Sequence, residues 1–186
     1  MKKIVTISLS AFLLCLGISL NQEEVKAQNK NDMKTKVEQY AQVKLTSNIS
    51  YLSSNEKQVL GLFIDAAKIM DDIYWKQTFG NKQDVLKIKD RYTKEFAMIN
   101  YGYWDRLDGM KPFVKGIKDK PLGAMFYPKD MTETEWKNLN DENKTSLYTV
   151  IRRDKQGKIF VKWYHQEYSA EIANATTLLE KAAKIT

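Results

Sequence analysis

The chain has 186 residues, with 30 Lys and Arg against 23 Asp and Glu, one cysteine and one histidine. The basic excess is spread along the chain rather than blocked, which reads as a solvated surface and argues against nucleic-acid binding. A single thiol and a single imidazole leave no room for a disulfide framework, a Cys-ligated zinc site or a His-pair zinc site.

Lys2 and Lys3 precede an uncharged apolar run, Ile4 to Leu20, and Val25-Lys26-Ala27 follows in front of Gln28. A positive start, an apolar core and modest side chains three and one residues before a cut describe a secretory signal. Residues 1–27 are therefore expected to be a signal peptide cleaved after Ala27, with a retained single-helix anchor as the alternative. Cys15 follows Leu14 inside the apolar run, so it does not fit a lipid-modified cysteine and would leave with the signal. The expected mature chain has 159 residues, 27 basic and 21 acidic, and is periplasmic or secreted, without stable membrane insertion. That length suffices for one domain with a hydrophobic core.

Residues 28–49 read as an N-terminal helix and linker. The helix is predicted over Met33–Leu45 with Asp32 as its cap, because Val37, Tyr40, Ala41 and Leu45 share a face. Residues 50–186 read as the main domain. Ser53-Ser54-Asn55-Glu56 forms a capping box that opens a long helix through Val59, Leu60, Phe63, Ala67, Met70, Ile73 and Tyr74, ended by Gly80. Its apolar stripe is wide enough to serve two neighbours. A third helix is predicted from Lys82 to Met98. Residues 100–130 then hold all three prolines, four of the eight glycines and many aromatics, and keep neither helical nor strand period. A loop of that length is functional or tightly folded on the body. Thr132–Glu135 is a second capping box, with Trp136 and Leu139 on the inner face of a short helix. Leu147–Arg152 and Ile159–Trp163 read as a hairpin around Asp154–Gly157. The last helix is predicted over Glu167–Ala183, with Tyr168, Ile172, Ala175, Leu179 and Ala182 in line. The expected fold is α+β, mainly α: four to five helices, a long ordered loop and one β-hairpin.

Catalytic signatures are scarce. His165 is followed by Gln166 and Glu167 and offers at most a weak metal site; a hydrogen-bonded junction residue is the plainer reading. No G-x-S-x-G elbow or phosphate-binding glycine loop occurs. Asp71-Asp72 lies within the long helix, where neighbours point about 100° apart, which works against a paired-carboxylate role. Asn100, Tyr101, Trp104, Asp105 and Arg106 mix aromatic faces with an amide, a carboxylate and a guanidinium. They are candidate cleft contacts for a peptide or sugar, but the reading that carries more weight is that they tie the loop to its own domain. Arg152 and Arg153 face opposite sides of a strand, so only one can enter any cleft.

Five segments in order carry a family resemblance. They are Ala66-Ala67-Lys68-Ile69-Met70-Asp71-Asp72-Ile73-Tyr74-Trp75-Lys76-Gln77, Ile99-Asn100-Tyr101-Gly102-Tyr103-Trp104-Asp105-Arg106-Leu107, Lys120-Pro121-Leu122-Gly123-Ala124-Met125-Phe126-Tyr127-Pro128-Lys129-Asp130-Met131, Ser146-Leu147-Tyr148-Thr149-Val150-Ile151-Arg152-Arg153-Asp154 and Tyr164-His165-Gln166-Glu167-Tyr168. Together they resemble the bacterial branch of the dipeptidyl-peptidase III family of zinc peptidases over roughly residues 50–184. Tyr103 and Met125 depart from the more frequent Pro and Asn of that pattern. The resemblance implies a two-lobed enzyme that removes dipeptides from peptide N-termini, with zinc held by an H-E-x-x-G-H helix and a later Glu. No such motif occurs in this chain. The resemblance therefore places no catalytic residue and no metal ligand on any position here. It implies an N-terminal portion that is inactive alone and lacks its own cofactor, zinc belonging to the full-length family. The partner it implies is the missing catalytic portion, or else a peptide. A free-standing exported binding module is the alternative, and it would have covered any apolar face that a missing lobe leaves open.

Overall fold

The computed structural model describes residues 32–185. The expected signal peptide, its cleavage point and Cys15 lie outside them. Helix α1 runs over 32–38, α2 over Ser54–Thr78, α3 over Lys82–Leu86 and α4 over Arg91–Asn100. Strands β1 (Trp104–Asp105) and β2 (Lys111–Pro112) form a short antiparallel pair. Then come α5 (Glu133–Asn138), a 3-10 turn (Glu142–Thr145), the antiparallel hairpin of β3 (Thr149–Arg153) and β4 (Ile159–Trp163), α6 (Tyr164–Glu167) and α7 (Ser169–Ala183). The class is α+β, mainly α, as expected. Among the described residues there are seven helical segments and two small sheets, rather than four to five helices and one hairpin.

Each difference has a local cause. The predicted third helix breaks because Asp90 caps a new start: its carboxylate accepts from the Thr93 amide at 2.8 Å and the Thr93 hydroxyl at 2.8 Å. The predicted last helix breaks at Tyr168, whose ψ of 33° leaves the helical range. The first helix ends at 38 instead of Leu45. Its Met33 and Val37 are buried on Phe96, with Tyr40 against the same cluster, whereas Leu45 points into solvent. With nothing beyond Tyr40 to pack on, the helix has no reason to continue.

Helix α2 follows the sequence closely. Ser53 accepts from the Glu56 amide and Glu56 accepts from the Ser53 amide, closing the capping box. At the other end the Gly80 amide donates to the Trp75 carbonyl with φ at 111°, a conformation that suits glycine. Val59, Ala66 and Ile73 are buried, and α7 runs antiparallel along this side. Antiparallel packing follows from the end contacts. The Asn55 amide reaches the Ile185 carbonyl, and Lys76 pairs with Glu171.

The other buried side of α2 lies near its C-terminus. Trp75, Val85 and Ala97 form a core with Phe79, Tyr101, Tyr103 and Phe113 around it. Phe113 also reaches the Met33–Val37–Phe96 cluster, so one loop residue joins the two cores. A third side of α2 stays open. Leu60, Phe63, Ala67, Met70 and Tyr74 follow a three-four spacing, and all five are classed exposed, the four large side chains at 37–49%.

The long loop is held near its C-terminal end by two adjacent residues. The Met125 amide donates to the Gln77 carbonyl at the end of α2, and the Ile151 amide donates to the Phe126 carbonyl beside β3. Thr149, Val150 and Ile151 are all buried, so β3 is covered on both faces. No helix among the described residues is long and apolar enough to cross a membrane.

Candidate functional site

Helix α4 ends by bonding the Tyr101 amide to the Met98 carbonyl and the Gly102 amide to the Ala97 carbonyl. This is a Schellman closure with Tyr101 in the left-handed region (φ 52°), where glycine is the usual occupant. A tyrosine there costs about 1 kcal/mol. The turn aims its ring at α2. Tyr101 packs 4.8 Å from Trp75 and 4.9 Å from Tyr74, and its hydroxyl donates to Asp71 at 2.6 Å. That hydrogen bond, with burial behind it, raises the phenol above its ordinary range.

The five loop residues singled out from sequence divide by direction. Asn100 is 3% exposed; its amide donates to the Phe96 carbonyl, and its side-chain oxygen accepts from the Arg106 amide at 2.9 Å. Asp105 is 5% exposed and holds Lys36 of α1 at 2.6 Å while accepting from the Leu107 amide. Trp104 is buried and donates its indole N–H to the Lys118 carbonyl at 2.9 Å. These three close the loop on itself and fix α1 to it. Tyr101 and Arg106 reach the surface. Arg106 donates through Nε to the Asn100 carbonyl and through a terminal nitrogen to the Tyr74 hydroxyl at 3.0 Å. Its guanidinium lies 5.3 Å from the Tyr101 ring centre and 5.8 Å from that of Tyr74. The result is an aromatic shelf topped by a cation.

Lys120, separated from Arg106 by thirteen residues of the same loop, was not evident from spacing. Its ammonium lies 5.9 Å from the Trp104 ring centre. Burial first and the Arg106 charge second push it below the ordinary lysine range.

The other sequence candidates have structural partners. Asp71 and Asp72 both receive Lys82, at 3.4 and 3.3 Å, and Asp71 also receives Tyr101. His165 stacks on Trp163 with ring centres 6.4 Å apart. Among the described residues no three His, Cys, Asp or Glu side chains are grouped to share a metal ion. The donor set present does not fit a zinc centre.

Arg152 and Arg153 leave β3 on opposite sides. Arg152 donates to Glu167 at 2.6 Å and to the carbonyls of Met125 at 3.2 Å and Ile151 at 2.8 Å. It therefore clamps the loop to the hairpin and to the end of α6. Burial works against the Glu167 carboxylate, but Lys162 and Arg152 outweigh it and hold the carboxyl below its usual range. Arg153 pairs with Glu135 of α5 at 2.7 Å and with Asp130 at 3.3 Å.

No protein-family profile matches the chain. Among solved structures, the chain is similar to DPP III from Caldithrix abyssi, with 32% identity and a TM-score of 0.75, covering 82% of this chain and 31% of that one. It is also similar to dipeptidyl-peptidase III from Corallococcus sp. strain EGB, with 30% identity and a TM-score of 0.76, covering 84% of this chain and 32% of that one. Among curated proteins, Nudix hydrolase 3 of Arabidopsis thaliana is 28% identical over 68% of this chain and 22% of its own length. The chain thus spans about a third of the solved relatives and about a fifth of the curated one. Its described residues form a partial dipeptidyl-peptidase III-like domain.

Proposed function

We propose that this partial dipeptidyl-peptidase III-like domain is the exported N-terminal part of a zinc peptidase that removes dipeptides from peptide N-termini. In this reading it shapes the fold and one wall of the peptide cleft and is inactive by itself. The zinc and the groups that activate water belong to the remainder of the enzyme. The observation that carries the reading is the open side of α2. Five residues at coiled-coil spacing stay exposed although α7 already covers the adjacent stripe. Scattered apolar residues on a surface need no explanation, but a continuous stripe along four turns of helix does. The solved relatives are about two and a half times as long, which leaves room for a body that would cover it. A self-contained binding module would have buried that stripe. Export rests on the charge and apolar pattern of residues 1–27.

The test is an assay of the purified chain on dipeptidyl-naphthylamide substrates with added zinc, with and without chelator. The expected result is no turnover in either arm. Turnover that chelator abolishes overturns the assignment of an inactive part.

A further inference from the structure

We propose that the open edge of β4 takes an extended peptide of another molecule as a third strand, with an acidic side chain of that peptide entering the cleft where β4 begins. The inference stands on this edge alone and does not need the peptidase assignment.

The ladder decides which backbone groups are spare. On β3 the Ile151 amide donates to the Phe126 carbonyl at 2.9 Å, so it points away from β4. Ile151 lies opposite Val161, and in an antiparallel ladder such an outward pair exchanges no bonds. The amide and carbonyl of Val161 therefore point away from β3. The same alternation turns out those of Ile159 and Trp163, and the Trp163 amide donates outward to the Gln166 side chain at 3.4 Å. Bonds beyond both ends agree, the Tyr164 amide donating to the Tyr148 carbonyl and the Asp154 amide to that of Lys158. The sheet has two strands, and β3 and α6 are the elements that pack along β4. The outward groups of Val161 have no partner among the described residues. Unpaired groups along a strand edge are a template for another extended chain.

The cleft gives this edge a preference. A cavity of about 410 Å³ opens where β4 begins, between Lys158 and Ile159 on one side and Glu135, Asn138 and Asn140 on the other. Its acid is already engaged, because Glu135 pairs with Arg153 at 2.7 Å. Lys158 forms no ion pair among the described residues, and the side chains of Asn138 and Asn140 make no hydrogen bond among them. One ammonium and two amides remain, donors that suit a carboxylate. Phe160 and Trp163, 38% and 37% exposed, offer ring faces to the side chains of an added strand. A second copy of β4 fits poorly. Antiparallel pairing about Phe160 would set Lys158 of each copy opposite Lys162 of the other, and like charges facing across a ladder repel. Lysines on an edge guard it against its own kind and leave it open to an acidic strand.

The experiment uses the full chain and three blocked peptides, acetylated and amidated. One alternates Val and Glu, one has Lys in place of Glu, and one is the Val–Glu peptide with every backbone amide methylated. Binding and amide hydrogen exchange are both followed by NMR at low salt. Saturable binding of the Val–Glu peptide is expected, with no binding of the other two. In that complex, exchange at the Val161 amide should slow about tenfold or more, the scale of one added hydrogen bond. Lys158→Gln should weaken the Val–Glu peptide about threefold or more, and Lys158→Arg should retain it. Val161→Pro removes the central outward donor without removing a ladder bond, and should abolish binding. No binding of the Val–Glu peptide, equal binding of either control peptide, an unchanged Val161 exchange rate at saturation, or wild-type affinity in Lys158→Gln would each overturn the proposal. A dimer in sedimentation equilibrium that Val161→Pro dissolves would overturn it too, by making a second copy the occupant.

Discussion

Replacing Arg152 by Met removes the clamp between three parts of the fold while keeping a long side chain on β3. In the native state Arg152 makes a charge-assisted bond to Glu167 and supplies a donor to the Met125 carbonyl. The Phe126 carbonyl keeps a donor from the Ile151 amide, and Glu167 keeps Lys162 at 3.0 Å, so neither is orphaned. The loss is one charge-assisted hydrogen bond at about 1.5–3 kcal/mol and one neutral one at about 1 kcal/mol. Both partners keep about a quarter or less of their exposure, which trims the sum through solvent screening. About 2–3 kcal/mol of destabilisation is expected, or a fall in Tm of roughly 4–12 °C for a domain of this size. Thermal and urea unfolding measure it directly, and a cycle with Glu167→Gln isolates the pair. A change below about 0.5 kcal/mol, within the usual range for surface substitutions, would refute the clamp and return Arg152 to the solvated surface.

Two glycines should respond with opposite sign to alanine. At Gly123, φ is 71° and a Cβ would sit 2.2 Å from the Tyr127 ring, which packs on Trp136, so Gly123→Ala should lower stability by about 2–3 kcal/mol in urea unfolding. At Gly61, inside α2 with nothing within 4 Å of the added carbon, alanine should raise stability by about 0.5–1 kcal/mol. Acid should weaken the fold through its paired carboxylates. Arg153 first, and the Thr132 amide next, pull the Glu135 carboxyl from 4.5 to about 2. A lowered folded-state value means that this stabilisation is complete above 4.5 and fades as pH falls towards 2. Glu167 and Glu56, also lowered, act with the same sign. Tm followed from pH 6 to pH 2 should therefore fall, and the fall should be shallower in Glu135→Gln; a flat profile contradicts the pairing. On α2, Phe63→Gln should change the stability of this chain by less than about 1 kcal/mol and reduce binding of an apolar dye. Ile73→Ala should cost about 2–5 kcal/mol, because Ile73 is buried and Phe63 is not. Equal losses at the two positions would mean that the stripe is covered.

Helix α2 was legible because its signals are local: a capping box at one end, a glycine at the other and apolar spacing between. The hairpin was legible for the same reason, its turn closed by Asp154 accepting from the amides of Gln156 and Lys158. The breaks at Asp90 and Tyr168 were hidden by apolar periodicity that runs on through them. Asp90 with Thr93 was a readable capping signal; Tyr168 carries none. The extent of α1 depends on Phe96, sixty residues away, and no local pattern reports that. The site divides similarly. Tyr101 and Arg106 stood out by composition, but their partner Tyr74 comes from a distant helix.

Zinc uptake by the purified chain tests the central claim most directly. After dialysis against zinc and then against buffer, native mass spectrometry should find no tightly held ion, because His165 is the only imidazole and no converging donor set surrounds it among the described residues. One retained zinc per chain, released by chelator together with dipeptide-cleaving activity, would contradict the account.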